Sequence, residues 1–286
     1  MLPRPARTRQ ADKPDLSGHN ALYAAGAGRL AGATDKAAFT RAYEREHMAP
    51  FHAGGSTKGY VRGLATRRLL ADAARSGRRL AELRVLETGS GRGELALYLA
   101  GRGFQVIGVD LSQVGCRAAG QLAERLELAS QCRFVAADLA HLPLAAGSVD
   151  FVIGHAALHH FIKYPGVPAE LERVMRPGAS GCFADAFGQN RLYHLFHDRA
   201  RMARLGDVSL TAAMIGRYFA AFGLELRPTD WFVMLDKLYL RLAPASFEPF
   251  LRRLSRLHFW LDRRLPAGRR PLLALSGSVL TVIHKR

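Results

Sequence analysis

Cysteine is scarce in this chain of 286 residues: three are present, at positions 116, 132 and 182, and no two form a CxxC pair. That excludes a disulfide framework or a clustered thiolate metal site and fits a reducing cytoplasm. Long apolar runs are also missing. The most apolar stretch, 271–283, is about 13 residues long, short of the roughly 20 that a membrane-spanning helix needs. Residues 1–19 are polar, basic and proline-containing, without the apolar centre of a secretory signal. A soluble, cytoplasmic protein is therefore expected. Lysine is rare too. Of 41 basic residues only six are Lys (13, 36, 58, 163, 237 and 285) and the rest are Arg. Net charge is nonetheless +17, which invites an acidic partner. The arginines are scattered rather than clustered, which fits a compositional bias better than a nucleic-acid surface.

What is present is alternation. Strand patterns occur at 83–88, 105–109, 132–136, 149–154, 181–185, 224–233 and 278–284. Helical patterns intervene at 93–100, 112–126, 167–175, 191–205 and 211–221. Short strands alternating with helices predict a parallel α/β sheet covered on both faces. Ahead of it, residues 1–33 read as a mobile arm and 34–80 as a helical cap. In that cap Phe39, Tyr43 and His47 recur at helical spacing behind the candidate cap residue Asp35. Residues 81–286 read as one domain, with 236–275 a helical insertion before the last strand.

The first strand runs into Glu87-Thr88-Gly89-Ser90-Gly91-Arg92-Gly93-Glu94. A dinucleotide fingerprint requires G-x-G-x-x-G, and its third glycine position is Glu94 here. A phosphate-binding P-loop requires Gly-Lys followed by Ser or Thr, and no such Lys is present. Glu94 would also repel a phosphate at a helix amino-terminus. S-adenosylmethionine fits better. Glu87 offers a carboxylate to the cationic methionine end. Asp110, closing the second strand, can accept the ribose hydroxyls, and Asp138, closing the third, can accept the adenine amine. Three acidic residues at successive strand ends are poorly explained as separate caps.

These motifs continue as Leu142-Pro143-Leu144, Gly147-Ser148-Val149-Asp150-Phe151-Val152, Ala157-Leu158-His159-His160-Phe161 and Leu171-Glu172-Arg173-Val174-Met175-Arg176-Pro177-Gly178. The succession resembles the class I S-adenosylmethionine-dependent methyltransferases, closely over 83–181, and within them the small-molecule branch containing the ubiquinone and menaquinone C-methyltransferases. The resemblance implies a seven-stranded, doubly wound, Rossmann-like sheet. It implies S-adenosylmethionine bound by Glu87, Gly89, Gly91, Gly93, Asp110, Leu111, Asp138 and Leu139, with the chain at Gly154 and His155 beside the methionine portion. S-adenosylhomocysteine would be the product.

Acceptor chemistry should lie after the fourth strand. Nucleic-acid amino methyltransferases carry Asn or Asp, then Pro-Pro and an aromatic there, and cytosine C5 enzymes use a Cys. Gly154-His155-Ala156-Ala157-Leu158-His159-His160 has neither, so a nucleic-acid target is disfavoured. His155 is a candidate base, since imidazole titrates near neutrality; the alternative is a backbone contact with an imidazole that only packs. His159 and His160 read as support for the cofactor pocket, and without a third ligand at fixed spacing no metal site is expected. Asp185 and Asn190 can line the acceptor pocket, although Asn190 can equally cap a helix. Tyr43, His47, Phe51 and His52 with Gly54-Gly55-Ser56 resemble a lid over the acceptor, with core packing the alternative. Within the insertion, 246–265 is a basic amphipathic stretch that can lie on a membrane, cover the sheet, roof the pocket or form a homodimer seam.

The expectation is a methyltransferase acting on a small-molecule or lipid-like acceptor. Two alternatives remain: another reaction of S-adenosylmethionine, such as cyclisation or aminocarboxypropyl transfer, and an RNA methyltransferase.

Overall fold

A computed structural model describes residues 20, 30, 32–50, 53, 59–188, 207–229, 245–262 and 276–286. Seven strands form one sheet: β1 (Arg84–Thr88), β2 (Gln105–Asp110), β3 (Cys132–Ala136), β4 (Val149–His155), β5 (Met175–Ala186), β6 (Gly223–Thr229) and β7 (Ser278–His284). Their spatial order is β3-β2-β1-β4-β5-β7-β6. The chain works outward from β1 through β2 to β3, then crosses back to place β4 on the other side of β1. That reversal opens a crevice beyond the carboxyl ends of β1 and β4, the place where ligands of such sheets bind.

β7 pairs antiparallel with both β5 and β6, so the sheet is mixed rather than wholly parallel. The cause is topological: the chain returns from the long insertion at the edge it left, and slots β7 between its neighbours in the reverse direction. β5 is also longer than its apolar core, because Met175 already pairs with Val149 ahead of the Pro177-Gly178 irregularity.

Among the described residues the helices are α1 (Lys36–His47), α2 (Gly59–Arg75), α3 (Glu94–Gly101), α4 (Gln113–Arg125), α5 (Leu158–Phe161), α6 (Gly166–Val174), α7 (Ala212–Tyr218) and α8 (Glu248–Asp262). Asp35 caps α1 by accepting from the Ala38 amide at 2.7 Å, as its position predicts. The short α5 has no period long enough to be read from sequence, and the predicted helix at 191–205 lies outside the described residues. α2 packs across β4 and β5, while α1 packs on α2 and α3. At the α1–α2 crossing a Cβ on Gly63 would lie 2.4 Å from the His47 carbonyl oxygen, so only glycine allows that approach.

The sheet divides two apolar cores. One gathers Phe39, Tyr43, Leu69, Leu97, Tyr98 and Phe104 from the cap, α3 and the turn into β2. The other gathers Leu158, Leu171, Phe183, Phe187, Ile215 and Phe219. Within 1–33, Leu30 is buried in the first core and Asn20 accepts a hydrogen bond from the Ser112 hydroxyl at 2.6 Å. None of the described helices is long and apolar enough to cross a membrane.

Candidate functional site

Gly89, Gly91 and Gly93 all take positive φ (65°, 52° and 72°), so the chain coils sharply between β1 and α3. Gly93 cannot be replaced cheaply, because a Cβ there would sit 2.3 Å from the Phe134 ring in a left-handed conformation. Asp110 ties this coil to β2. One carboxylate oxygen accepts from the Gly91 amide and the other from the Ser112 amide, each at 2.8 Å. A carboxylate has about four lone-pair directions, so Asp110 keeps acceptor capacity for a pair of hydroxyls. Beside it, Leu111 is 39% exposed, an apolar side chain suited to the face of a purine. Asp138 caps its own turn at the Ala140 amide, 2.9 Å away, and remains exposed, while Leu139 is buried.

The other end of the turn is enclosed by the cap. Glu87 is buried and accepts from the Ala96 amide at 3.0 Å, fixing it under the first turn of α3. Burial pushes its carboxyl well above the ordinary range, and the charges of Asp110 and Glu94 add to this. Tyr43 from α1 is fully buried and stacks on Tyr98 at 4.3 Å. Burial raises its phenol well above the usual range, opposed by Thr66 and reinforced by Glu87. His47 meets Glu94 at 3.4 Å. Two buried polar atoms here have no hydrogen-bond partner among the described residues: His47 Nδ1 and Ser90 Oγ. Buried polar groups are rarely left so. Beside a carboxylate and a glycine coil, they match the needs of an aminocarboxylate. The residues present therefore fit S-adenosylmethionine: Asp110, Leu111, Asp138 and Leu139 would hold the adenosyl portion, and Glu87, the glycines, Ser90 and Tyr43 the methionine portion.

His155 closes β4 directly beneath the cap. Its Nε2 lies 3.2 Å from the hydroxyl of Thr66 on α2. Burial, with Arg62 and His47 nearby, holds its pKa well below the ordinary histidine value. The ring is thus kept neutral and is engaged by the cap. The preceding Gly154 admits close packing, since a Cβ there would meet Thr88 Oγ1 at 2.6 Å.

The chain then turns through Ala156, held at φ 51°, a conformation costly for a residue with a Cβ. This turn swings α5 over β5 and brings His159 Nδ1 to 2.7 Å from Asp185 Oδ1. Asp185 is almost wholly buried, and its Oδ2 has no partner among the described residues. His160 Nδ1 approaches Asp207 at 2.9 Å, and His159 Nε2 lies 3.9 Å from the same carboxylate. Burial opposes a charge on His159, yet the hydrogen bond and charge of Asp185, with Asp207, outweigh it and raise its pKa. His159, His160 and Asp207 place ligand-type atoms within 4.8 Å of one another, so the third group that local spacing could not supply arrives from a distant segment.

The sequence candidates thus fall into three groups: the adenosyl cradle, the enclosed methionine end with Tyr43 and His155, and the His159–Asp185 pair joined by His160. Asn190, Phe51, His52 and 54–56 lie outside the described residues. Thr66, Ser90 and Asp207 carry no signal in the sequence, being single polar residues in ordinary contexts.

Residues 86–183 match the family described as "Methyltransferase domain". That segment, about a third of the chain, is similar to a methyltransferase domain. Phthiotriol/phenolphthiotriol dimycocerosates methyltransferase of Mycobacterium leprae (strain TN) is 29% identical over 136 residues, 46% of this chain and 49% of that protein. The tRNA 5-carboxymethoxyuridine methyltransferase of Escherichia coli (strain K12) is 38% identical over 101 residues, 34% of this chain and 38% of that protein. Geranyl diphosphate C-methyltransferase of Streptomyces coelicolor A3(2), solved with Mg2+, geranyl-S-thiolodiphosphate and S-adenosyl-L-homocysteine, superposes with TM-score 0.54. It is 15% identical, with 78% of this chain and 76% of that chain covered, a likeness of fold. This chain spans less than half the length of the curated relatives named here. Family and fold thus agree with the expectation from sequence, and the glycine coil, Asp110 and Asp138 lie at or just past the carboxyl ends of β1, β2 and β3.

Proposed function

We propose that the chain transfers a methyl group from S-adenosylmethionine to a lipid-like acceptor that must lose a proton, with His159 as the base. The observation that carries this reading is the His159 Nδ1–Asp185 Oδ1 contact of 2.7 Å at the carboxyl ends of β4 and β5. An acceptor oxygen or carbon gains nucleophilicity by deprotonation, and a positioned base contributes about 10²–10⁴-fold. Bound S-adenosylmethionine supplies a methyl on a sulfonium, which leaves the sulfur as a neutral thioether. Asp185 accepts from Nδ1–H, which fixes the tautomer with a bare Nε2, the arrangement that a buried acid gives a catalytic imidazole. Nε2 takes the acceptor proton as the new bond to the methyl carbon forms, and Asp185 balances the resulting imidazolium. His155 does not fill this role: its ring faces Thr66, and its lowered pKa makes it a weak base. His160 and Asp207 border the same face and orient the acceptor.

The lipid-like acceptor is supported by similarity to the relative named for dimycocerosates. The absence of an Asn/Asp-Pro-Pro-aromatic sequence after β4 weighs against nucleic acid, and the tRNA-directed relative makes RNA the reading to test against. The chain is incubated with methyl-labelled S-adenosylmethionine and either a total lipid extract or total tRNA. Label is expected in the organic phase, with S-adenosylhomocysteine released, and His159→Gln should lower incorporation roughly 100-fold while cofactor binding persists. Label in tRNA, or release of methylthioadenosine, overturns the proposal.

A further inference from the structure

The insertion between β6 and β7 is rooted beside the site. Thr229 at the end of β6 pairs with Ser278 at the start of β7, and Ser278 also pairs with Ala186 at the end of β5, next to Asp185. The chain therefore leaves and re-enters the sheet at the edge where His159 and Asp185 stand. Within this excursion α8 buries Leu251 and Ser255 and turns a different side outward. Phe250 and Leu257, one heptad apart, are 60% and 52% exposed. Phe247 just ahead of the helix is 53% exposed, and Trp260 is 47% exposed. Steps of three and seven residues keep these four on one broad side. Arg253 and Arg256 are exposed on and beside that side. Arg252 is instead drawn back to Glu248 at 2.7 Å.

Most exposed large apolar side chains occur singly. Here four of the six among the described residues fall on one stretch of 14 positions, 247–260. We infer that this face of α8 docks peripherally on an anionic lipid bilayer, which would also hold the lipid-like acceptor. The occupant is read from the chemistry of the face. Aromatic and leucyl side chains enter the boundary between headgroups and acyl chains while flanking arginines meet lipid phosphates. The surplus of basic residues, net +17 overall, favours approach to a negative surface. An α8 of 15 residues is suited to lie in that boundary rather than cross it. The inference rests on the proposed function only for the lipid character of the acceptor, because docking requires no turnover.

The test is flotation of the full chain with vesicles of phosphatidylcholine alone or mixed with phosphatidylglycerol. Binding is expected to the anionic vesicles and to weaken with salt. Phe250→Ser with Leu257→Ser should weaken it at least about tenfold, since the two apolar side chains would no longer enter the acyl boundary. Arg253→Glu with Arg256→Glu should remove the preference for phosphatidylglycerol. Each variant must bind S-adenosylmethionine calorimetrically like the parent, which separates loss of docking from loss of the fold. Failure of the labelling experiment with docking intact sinks the acceptor assignment and not the membrane face. No vesicle binding, or binding indifferent to both double substitutions, overturns the inference. So does a dimer in light scattering that the Phe250→Ser, Leu257→Ser variant dissolves, since the face would then be covered by a second copy.

Discussion

At the adenosyl end of the crevice each contributing group sits within a few residues of the strand that carries it. At the proposed acceptor face, by contrast, groups from three segments meet. Asp110 closes β2 and bonds to amides at positions 91 and 112, so strand, coil and acid form one local unit. His159, Asp185 and Asp207 come from α5, the end of β5 and the segment before α7. The first region is held by backbone geometry that few sequences can satisfy. The second is held by side-chain pairs that packing brings together, and is free to change with the acceptor. A common cofactor and variable acceptors call for this division.

Breaking the local unit should have the larger effect. Asp110→Ala removes two acceptors for ribose hydroxyls and releases the Gly91 and Ser112 amides. Charge-assisted hydrogen bonds are worth about 1.5–3 kcal/mol each, so cofactor affinity should fall roughly 100-fold or more. Isothermal calorimetry checks this, with thermal unfolding as the control for fold. An affinity within a few-fold of the parent would show that the cradle does not depend on this carboxylate.

The same difference governs how much of each region is legible in the sequence. The coil, Glu87, Asp110 and Asp138 are legible because a positive φ demands glycine and a strand end fixes where an acid points. Most strands are legible because a sheet covered on both faces demands short apolar runs. The reversed β7 is not, since strand direction depends on where the chain re-enters rather than on its residues. Nor is the partner of Asp185. His155 and His159 stand four positions apart in one short stretch, and only the turn at Ala156 decides which of them meets the acid.

Asp185→Asn probes the assembled side and should have the intermediate effect. Loss of the carboxylate removes the chief influence that raises the His159 pKa, and methyl transfer should slow roughly tenfold or more. The pH profile supplies the sharper reading. A base must be neutral to act, so the parent's rate should rise with pH through a histidine pKa above the ordinary value of about 6.5. In the variant that acid limb should move to lower pH. The linked stability has the opposite sense. A raised histidine pKa stabilises the fold below the unfolded pKa, and this contribution disappears as pH climbs through the folded one. An acid limb that stays in place would remove His159 from the role of base.

Glu87 stands between the two regions, local in sequence yet enclosed by the cap, and its substitution should give the smallest change. Its carboxyl is raised by burial first, then by Asp110 and Glu94. A raised carboxyl stabilises the fold below the unfolded pKa and loses that contribution as pH rises through the folded one. Glu87→Gln imitates the protonated form. The cofactor-free variant should therefore unfold at a higher temperature than the parent at neutral pH and match it in acid. Cofactor binding should move the other way. A cation arriving beside Glu87 favours the carboxylate, so binding should release a proton, seen as a calorimetric enthalpy that depends on the ionisation enthalpy of the buffer. In Glu87→Gln that dependence should vanish and affinity should fall only several-fold, because the amide oxygen still accepts from Ala96. Proton release that persists in the variant would assign the linkage to another group, with His47 beside Glu94 the next to examine.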